Sequence, residues 1–129
     1  MTAKLKPVLA GQELEVMKVV WQLESATVRE VYEQLLERRK IAYTTVMTTM
    51  NILEQKGFLK KSDSDKAFVY KPARPREQVI RGMVREFVDR VFNGAAQPLL
   101  VHLLEDEALT ESDIAEIRKT ARAAKKAKS

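Results

Sequence analysis

The side chains with most to offer a chemical partner lie in one stretch, AYTTVMTTMN at residues 42–51. Thr44, Thr45, Thr48, Thr49 and Asn51 carry short groups that donate or accept hydrogen bonds, and each threonine adds a methyl. That is equipment for recognition, not for breaking bonds. The groups catalysis would need are scarce. There is no cysteine, which excludes a disulfide framework, a thiolate zinc site and a cysteine nucleophile. The one histidine, His102, stands in a leucine-rich run without a second histidine nearby and reads as a core or interface residue. Glu105, Asp106 and Glu107 are adjacent rather than helically paired, as at a solvated helix end. The four glycines at 11, 57, 82 and 94 are too scattered to form a phosphate-cradling loop. Neither an enzyme nor a cofactor or metal is expected.

The elements that must position these groups have to fit in 129 residues, enough for one domain or two small ones. The absence of cysteine points to a reducing cytoplasm. The apolar runs are short, and the start MTAKLKPVLA lacks the long apolar stretch and small-residue cleavage site of a signal peptide, so no membrane association is expected.

Residues 12–24 place Leu14, Met17, Val20 and Trp21 at helical spacing, predicting a first helix. Thr27 and Glu30 form a Thr-x-x-Glu capping box before a second helix over 28–39, lined by Val28, Val31, Leu35 and Leu36. Val46, Met50 and Leu53 recur at four and three residues, and Gly57-Phe58 reads as a C-terminal cap, predicting a third helix over 44–56. The other face of that helix is unusual, because threonine and asparagine are poor helix formers. Thr49 is the member of the set expected to pack inward or bond back to a carbonyl. Two short runs, 58–61 and 67–71, flank the turn-prone SDSDK and predict a β-hairpin carrying Lys60, Lys61, Lys66 and Lys71. Without a glycine in the turn, a longer mobile loop is expected.

Pro72 and Pro75 end this module, placing a boundary near 74. Val79, Ile80, Met83, Val84, Phe87, Val88, Val91 and Phe92 then form a wide apolar stripe on a helix that stops at Asn93-Gly94. Pro98 opens a segment with Leu99, Leu100, Val101, Leu103 and Leu104, and Thr110 with Asp113 caps a last helix bearing Ile114 and Ile117. The terminus, 121–129, is expected to fray. The domains are thus 1–74, a helical module at 75–124 and a basic tail at 125–129.

Charge follows these divisions. Residues 1–37 carry −2, 38–75 carry +6, 76–117 carry −5 and 118–129 carry +6, within a net +5. Three helices followed by a basic hairpin give a mainly α fold, a winged helix-turn-helix with a C-terminal helical module. In that arrangement the third helix enters the major groove, where its short polar side chains let it lie deep. Tyr43, Thr44, Thr45, Met47, Thr48 and Asn51 are the candidate base readers, Asn51 by a bidentate pair with adenine. Arg38, Arg39, Lys60, Lys61 and Lys66 are the candidate phosphate contacts. The acidic module carries more apolar surface than its short helices can bury among themselves, which points to a homodimer through Ile80, Met83, Val84, Phe87, Val91, Leu99, Leu100, Leu103, Leu104, Ile114 and Ile117. The alternative is a winged-helix module whose third helix docks a protein, without sequence-specific DNA binding.

The stretches ELEVMKVVW, VREVYEQL, AYTTVMTTMNILEQKGFL, FVYKP, LVHLLE and LTESDIAEIRK together resemble the penicillinase repressor family of winged-helix regulators over nearly the whole chain. The resemblance implies a homodimer that represses transcription from an inverted-repeat operator in double-stranded DNA, with Thr44, Thr45, Met47 and Thr48 at the base-reading positions. It also implies a regulatory protease as partner. Some members are cut at an Asn-Phe bond; the matching place here is His102-Leu103. Other relatives sense copper through a cysteine-rich tail, which this cysteine-free chain excludes; its tail offers Lys125, Lys126 and Lys128 instead.

Overall fold

A computed structural model describes residues 9–63 and 68–128. The elements run α1 (Gly11–Leu23), α2 (Val28–Leu36), α3 (Tyr43–Gln55), β1 (Leu59–Asp63), β2 (Phe68–Pro72), α4 (Arg76–Phe92), α5 (Ala96–Glu105) and α6 (Glu111–Lys128). Three helices and an antiparallel two-stranded wing make a winged helix.

Local chemistry sets most boundaries. At the start of α1, Glu13 takes the Ala10 N–H at 2.9 Å. The Thr27–Glu30 capping box is reciprocal, at 2.9 and 3.2 Å, and Thr110 with Asp113 closes the same kind of box on α6 at 3.0 and 3.1 Å. α3 ends in a Schellman motif: Gly57, at φ +87°, donates to Glu54, and Phe58 donates to the Leu53 carbonyl at 2.9 Å.

Two boundaries differ from the sequence reading. α2 stops at Leu36, three residues early, where the Glu37 and Arg38 N–H groups bond three residues back, to the Gln34 and Leu35 carbonyls, and tighten the last turn. α5 starts at Ala96, so Pro98 sits inside its first turn, where a missing N–H costs nothing. The terminus expected to fray continues α6 to Lys128.

Val16, Met17, Val20, Val31, Leu35, Val46, Met50, Leu53 and Phe58 form a fully buried core, joined by Leu59, Tyr70 and Val79. One nonlocal contact was not legible in the sequence. Ala26, between α1 and α2, pairs with Tyr70 through two backbone hydrogen bonds of 2.8 and 2.9 Å. This clamps the wing to the helices.

The chain divides into two compact units, 1–84 and 85–129. The first extends past residue 74 because Val79 is buried in its core and Met83 packs against it. In the second, Phe92 lies 5.9 Å from both the Phe87 and His102 rings, α5 has no fully buried residue, and Val88 is the residue closest to full burial.

Candidate nucleic-acid interface

The helical period sorts α3 into two faces. Val46, Met50 and Leu53 are fully buried. Opposite them, Tyr43, Thr44, Met47, Thr48, Asn51, Ile52 and Gln55 are exposed. This outer stripe carries no charged side chain, so its hydrogen-bonding groups and methyls are what a partner meets. Thr45 sits at the shoulder, half-buried.

Thr49 belongs to the inner side. It is 5% exposed, and its hydroxyl donates to the Thr45 carbonyl at 2.8 Å while accepting from Gln12 Nε2 at 3.0 Å. Asn51 faces outward, yet its Oδ1 already accepts the Tyr70 hydroxyl at 3.0 Å. Burial first, then the nearby Glu54 carboxylate and Tyr43, push the Tyr70 phenol up, so it stays protonated as the donor. Asn51 therefore ties α3 to β2 and keeps its amide N–H groups for a partner. Tyr43 packs edge to face on Tyr32 at 5.4 Å, which fixes the first residue of the stripe.

The cations come before this stripe, in the turn that precedes α3, and after it, on the wing. In the turn before α3, Arg38 and Lys40 are exposed, and neither side chain makes a hydrogen bond or ion pair among the described residues. Lys40 was missed as a candidate; its place in the helix-turn-helix connection was the available signal. Arg39 differs from its neighbours, since it forks onto Glu15 at 2.7 and 3.3 Å and reaches Gln12 Oε1 at 3.5 Å. Those hydrogen bonds, more than the general positive field, hold the Glu15 carboxyl below the usual carboxylate range.

On the wing, register places Lys60 directly opposite Lys71 on one face, both exposed. Like charges directly opposed weaken a strand pair, so this face favours an anion. Lys61 lies on the other face with its ammonium 4.5 Å from the centre of the Phe68 ring, a cation–π contact that holds it over the strand. Lys66 falls outside the described residues.

The sequence model of the penicillinase repressor family matches residues 9–123. The chain belongs to that family. It is 36% identical over 107 residues to a transcriptional regulator BlaI of Mycobacterium tuberculosis, spanning 81% of this chain and 78% of that one. Against a penicillinase repressor of Bacillus licheniformis it is 30% identical over 111 residues, spanning 86% and 87%. Among solved structures, the DNA-binding domain of the repressor BlaI is similar at a TM-score of 0.51 and 33% identity, over 57% of this chain and 89% of that one. The monomeric form of Bacillus licheniformis BlaI in complex with the blaP half-operator gives 0.50 and 32% over the same shares.

Within this member of the penicillinase repressor family, the residues expected at a dimer contact fall into three groups. Met83 packs on the first unit's core, and Ile80, one turn before it, is half-buried. Leu99, Leu103 and Ile114 are half-buried in the second unit. Val84, Phe87, Val91, Leu100, Leu104 and Ile117 are 39–51% exposed, and Val101, not foreseen for this role, joins them. That much large apolar surface on α4, α5 and α6 lacks cover among the described residues. The His102-Leu103 bond lies in the last turn of α5, with His102 exposed and its ring tilted 41° to that of Phe92. No helix among the described residues is long and apolar enough to cross a membrane.

Proposed function

We propose that this chain is a sequence-specific DNA-binding transcriptional repressor that acts as a homodimer on an inverted-repeat operator. The observation that carries the reading is the outer stripe of α3, an exposed, uncharged surface of Thr44, Met47, Thr48 and Asn51, with cations in the turn before the helix and on the wing after it. In a major groove, threonine hydroxyls and methyls and the asparagine amide meet base edges, and a carboxylate-free face avoids repulsion by phosphates. Thr45, at the shoulder, and Tyr43 complete the reader. Arg38, Lys40, Lys60 and Lys61 lie along the DNA backbone and set orientation without reading sequence. Kinship with BlaI, one form of which was solved on a half-operator, supports the same partner here.

The reading residues are set within 1–74 and the dimer contact within 75–124, whose first helical turns complete the core of the first unit; the basic residues at 125–129 follow. A twofold dimer through Val84, Phe87, Val91, Leu100, Leu104 and Ile117 covers the exposed apolar surface of α4 to α6. It sets two copies of α3 roughly 34 to 36 Å apart, one turn of DNA.

The test is a titration of the full chain against a duplex carrying the inverted repeat upstream of its own gene. Neutralising several phosphates makes affinity fall by about 10³ to 10⁵ between 50 and 200 mM salt. A flat salt response, or equal affinity for a scrambled duplex, refutes the reading. Thr48→Glu abolishes operator binding while leaving the sedimentation coefficient unchanged, and undiminished binding removes α3 from the reader's role.

A further inference from the structure

Arg39 stands in the turn that delivers α3, where a phosphate contact is expected, but its guanidinium is occupied. Both arms of its fork lie on Glu15 of α1, at 2.7 and 3.3 Å. The same Nη2 reaches Gln12 Oε1 at 3.5 Å. Gln12 in turn donates its amide to Thr49, whose hydroxyl donates to the Thr45 carbonyl. One chain of hydrogen bonds thus runs from the turn before α3, across the first two turns of α1, into the buried flank of α3, and ends on a carbonyl of the segment that presents Thr44 and Thr48.

We propose that Arg39, Gln12 and Thr49 are positioning residues that set the rotation of α3 about its axis, and that Arg39 is not a phosphate contact. The inference rests on the DNA-binding reading above. Core contacts through Val46, Met50 and Leu53 hold α3 against the other helices, but apolar packing is non-directional and tolerates small rotations. Hydrogen bonds have a preferred angle, so the relay supplies the directional constraint that packing lacks. A threonine hydroxyl bonded back to the carbonyl four residues earlier also bends a helix locally. Here that back-bond joins Thr49 to the Thr45 carbonyl, beneath the proposed reading residues. A phosphate approaching Arg39 meets the Glu15 carboxylate already paired with it, so anion binding there would have to break a charge-assisted fork. Arg38 and Lys40, on either side, make no ion pair or side-chain hydrogen bond among the described residues.

The test separates position from charge. The full-length chain is titrated by fluorescence anisotropy against its operator duplex and a scrambled duplex of equal length, over a series of salt concentrations, with melting curves recorded for each variant. Arg39→Gln and Thr49→Val each lower the ratio of operator to scrambled affinity by about tenfold, the worth of one misplaced hydrogen bond. Both leave the salt slope as it was. Thr49→Ser, which keeps the hydroxyl, restores the ratio. The proposal is overturned if Arg39→Gln lowers the salt slope by about one while keeping the ratio, the mark of a lost phosphate contact. It is equally overturned if Thr49→Val keeps the ratio. Arg39 is exposed, so its variant reports even if Thr49→Val unfolds. If the unaltered chain does not distinguish the two duplexes, the DNA-binding reading has failed first, and this proposal falls with it.

Discussion

Thr48 and Thr49 are neighbours of identical chemistry with opposite surroundings. One is exposed on the outer stripe and the other is 5% exposed and engaged in two hydrogen bonds. The 100° step of the helix separates them, and that step is readable from Val46, Met50 and Leu53. What periodicity cannot supply is the identity of a partner across space. Gln12 is 37 residues from Thr49, and Glu15 is 24 from Arg39, so Arg39 reads as one more cation of a basic turn until α1 is packed beside it. Two outcomes belong at this scale. Leu53→Ala, at a side chain with no exposure, lowers unfolding free energy by about 2 to 5 kcal/mol in a denaturant titration. Glu15, whose carboxyl is depressed by the Arg39 fork, contributes stability that is complete above the ordinary carboxylate range and is lost as pH falls through its own lower value. Glu15→Gln therefore flattens the decline in melting temperature below about pH 4; an unchanged acid limb contradicts the pairing.

At the scale of elements, helix ends obey local rules wherever the residue types announce them. Thr27, Thr110 and Gly57 all cap as their sequence contexts predict. Exceptions are α1, which stops at Glu24 with φ 71°, and α5, which ends in a Schellman motif with Glu107 in the left-handed region at φ 59°. No glycine marked that stop, and the charged run there was readable only as a solvated end. The two sites make opposite expectations. Gly57→Ala costs about 1 kcal/mol from the left-handed backbone, because an added Cβ there meets nothing closer than Arg74 Nη2 at 3.5 Å. Glu107→Gly relieves the same kind of strain and raises the melting temperature of the chain. Differential scanning calorimetry checks both signs. The early end of α2 was not legible, since Glu37, Arg38 and Arg39 are acceptable helix residues. The chain leaves the helix there so that Arg39 reaches α1 and α3 can pack its apolar face on the core.

At the scale of the whole molecule, a net charge of +5 conceals a basic stretch at 38–75, an acidic helical segment and a basic end. Val84, Phe87, Val91, Leu100, Val101, Leu104 and Ile117 on α4 to α6 are 39–51% exposed, and large exposed apolar side chains mark an interaction surface where they are contiguous. If a second copy covers them, Phe87→Asp or Leu104→Asp shifts the sedimenting species from dimer to monomer at micromolar concentration. Operator affinity falls steeply, because two half-sites are no longer bound by one particle. A dimer that survives both substitutions places the contact elsewhere.

The sequence by itself determined what local interactions and period determine: which segments are helices, where most of them cap, which face of α3 is apolar, where positive charge accumulates, and that cysteine chemistry has no place. These depend on residues within a turn or two of each other. Tertiary structure decided the rest. It paired Ala26 with Tyr70, spent Arg39 on Glu15, bound Asn51 to the wing, set Lys60 against Lys71 and drew the first turns of α4 onto the core. Each of these joins residues distant in the chain, and their energy depends on distance and angle in three dimensions, which no spacing along a sequence encodes.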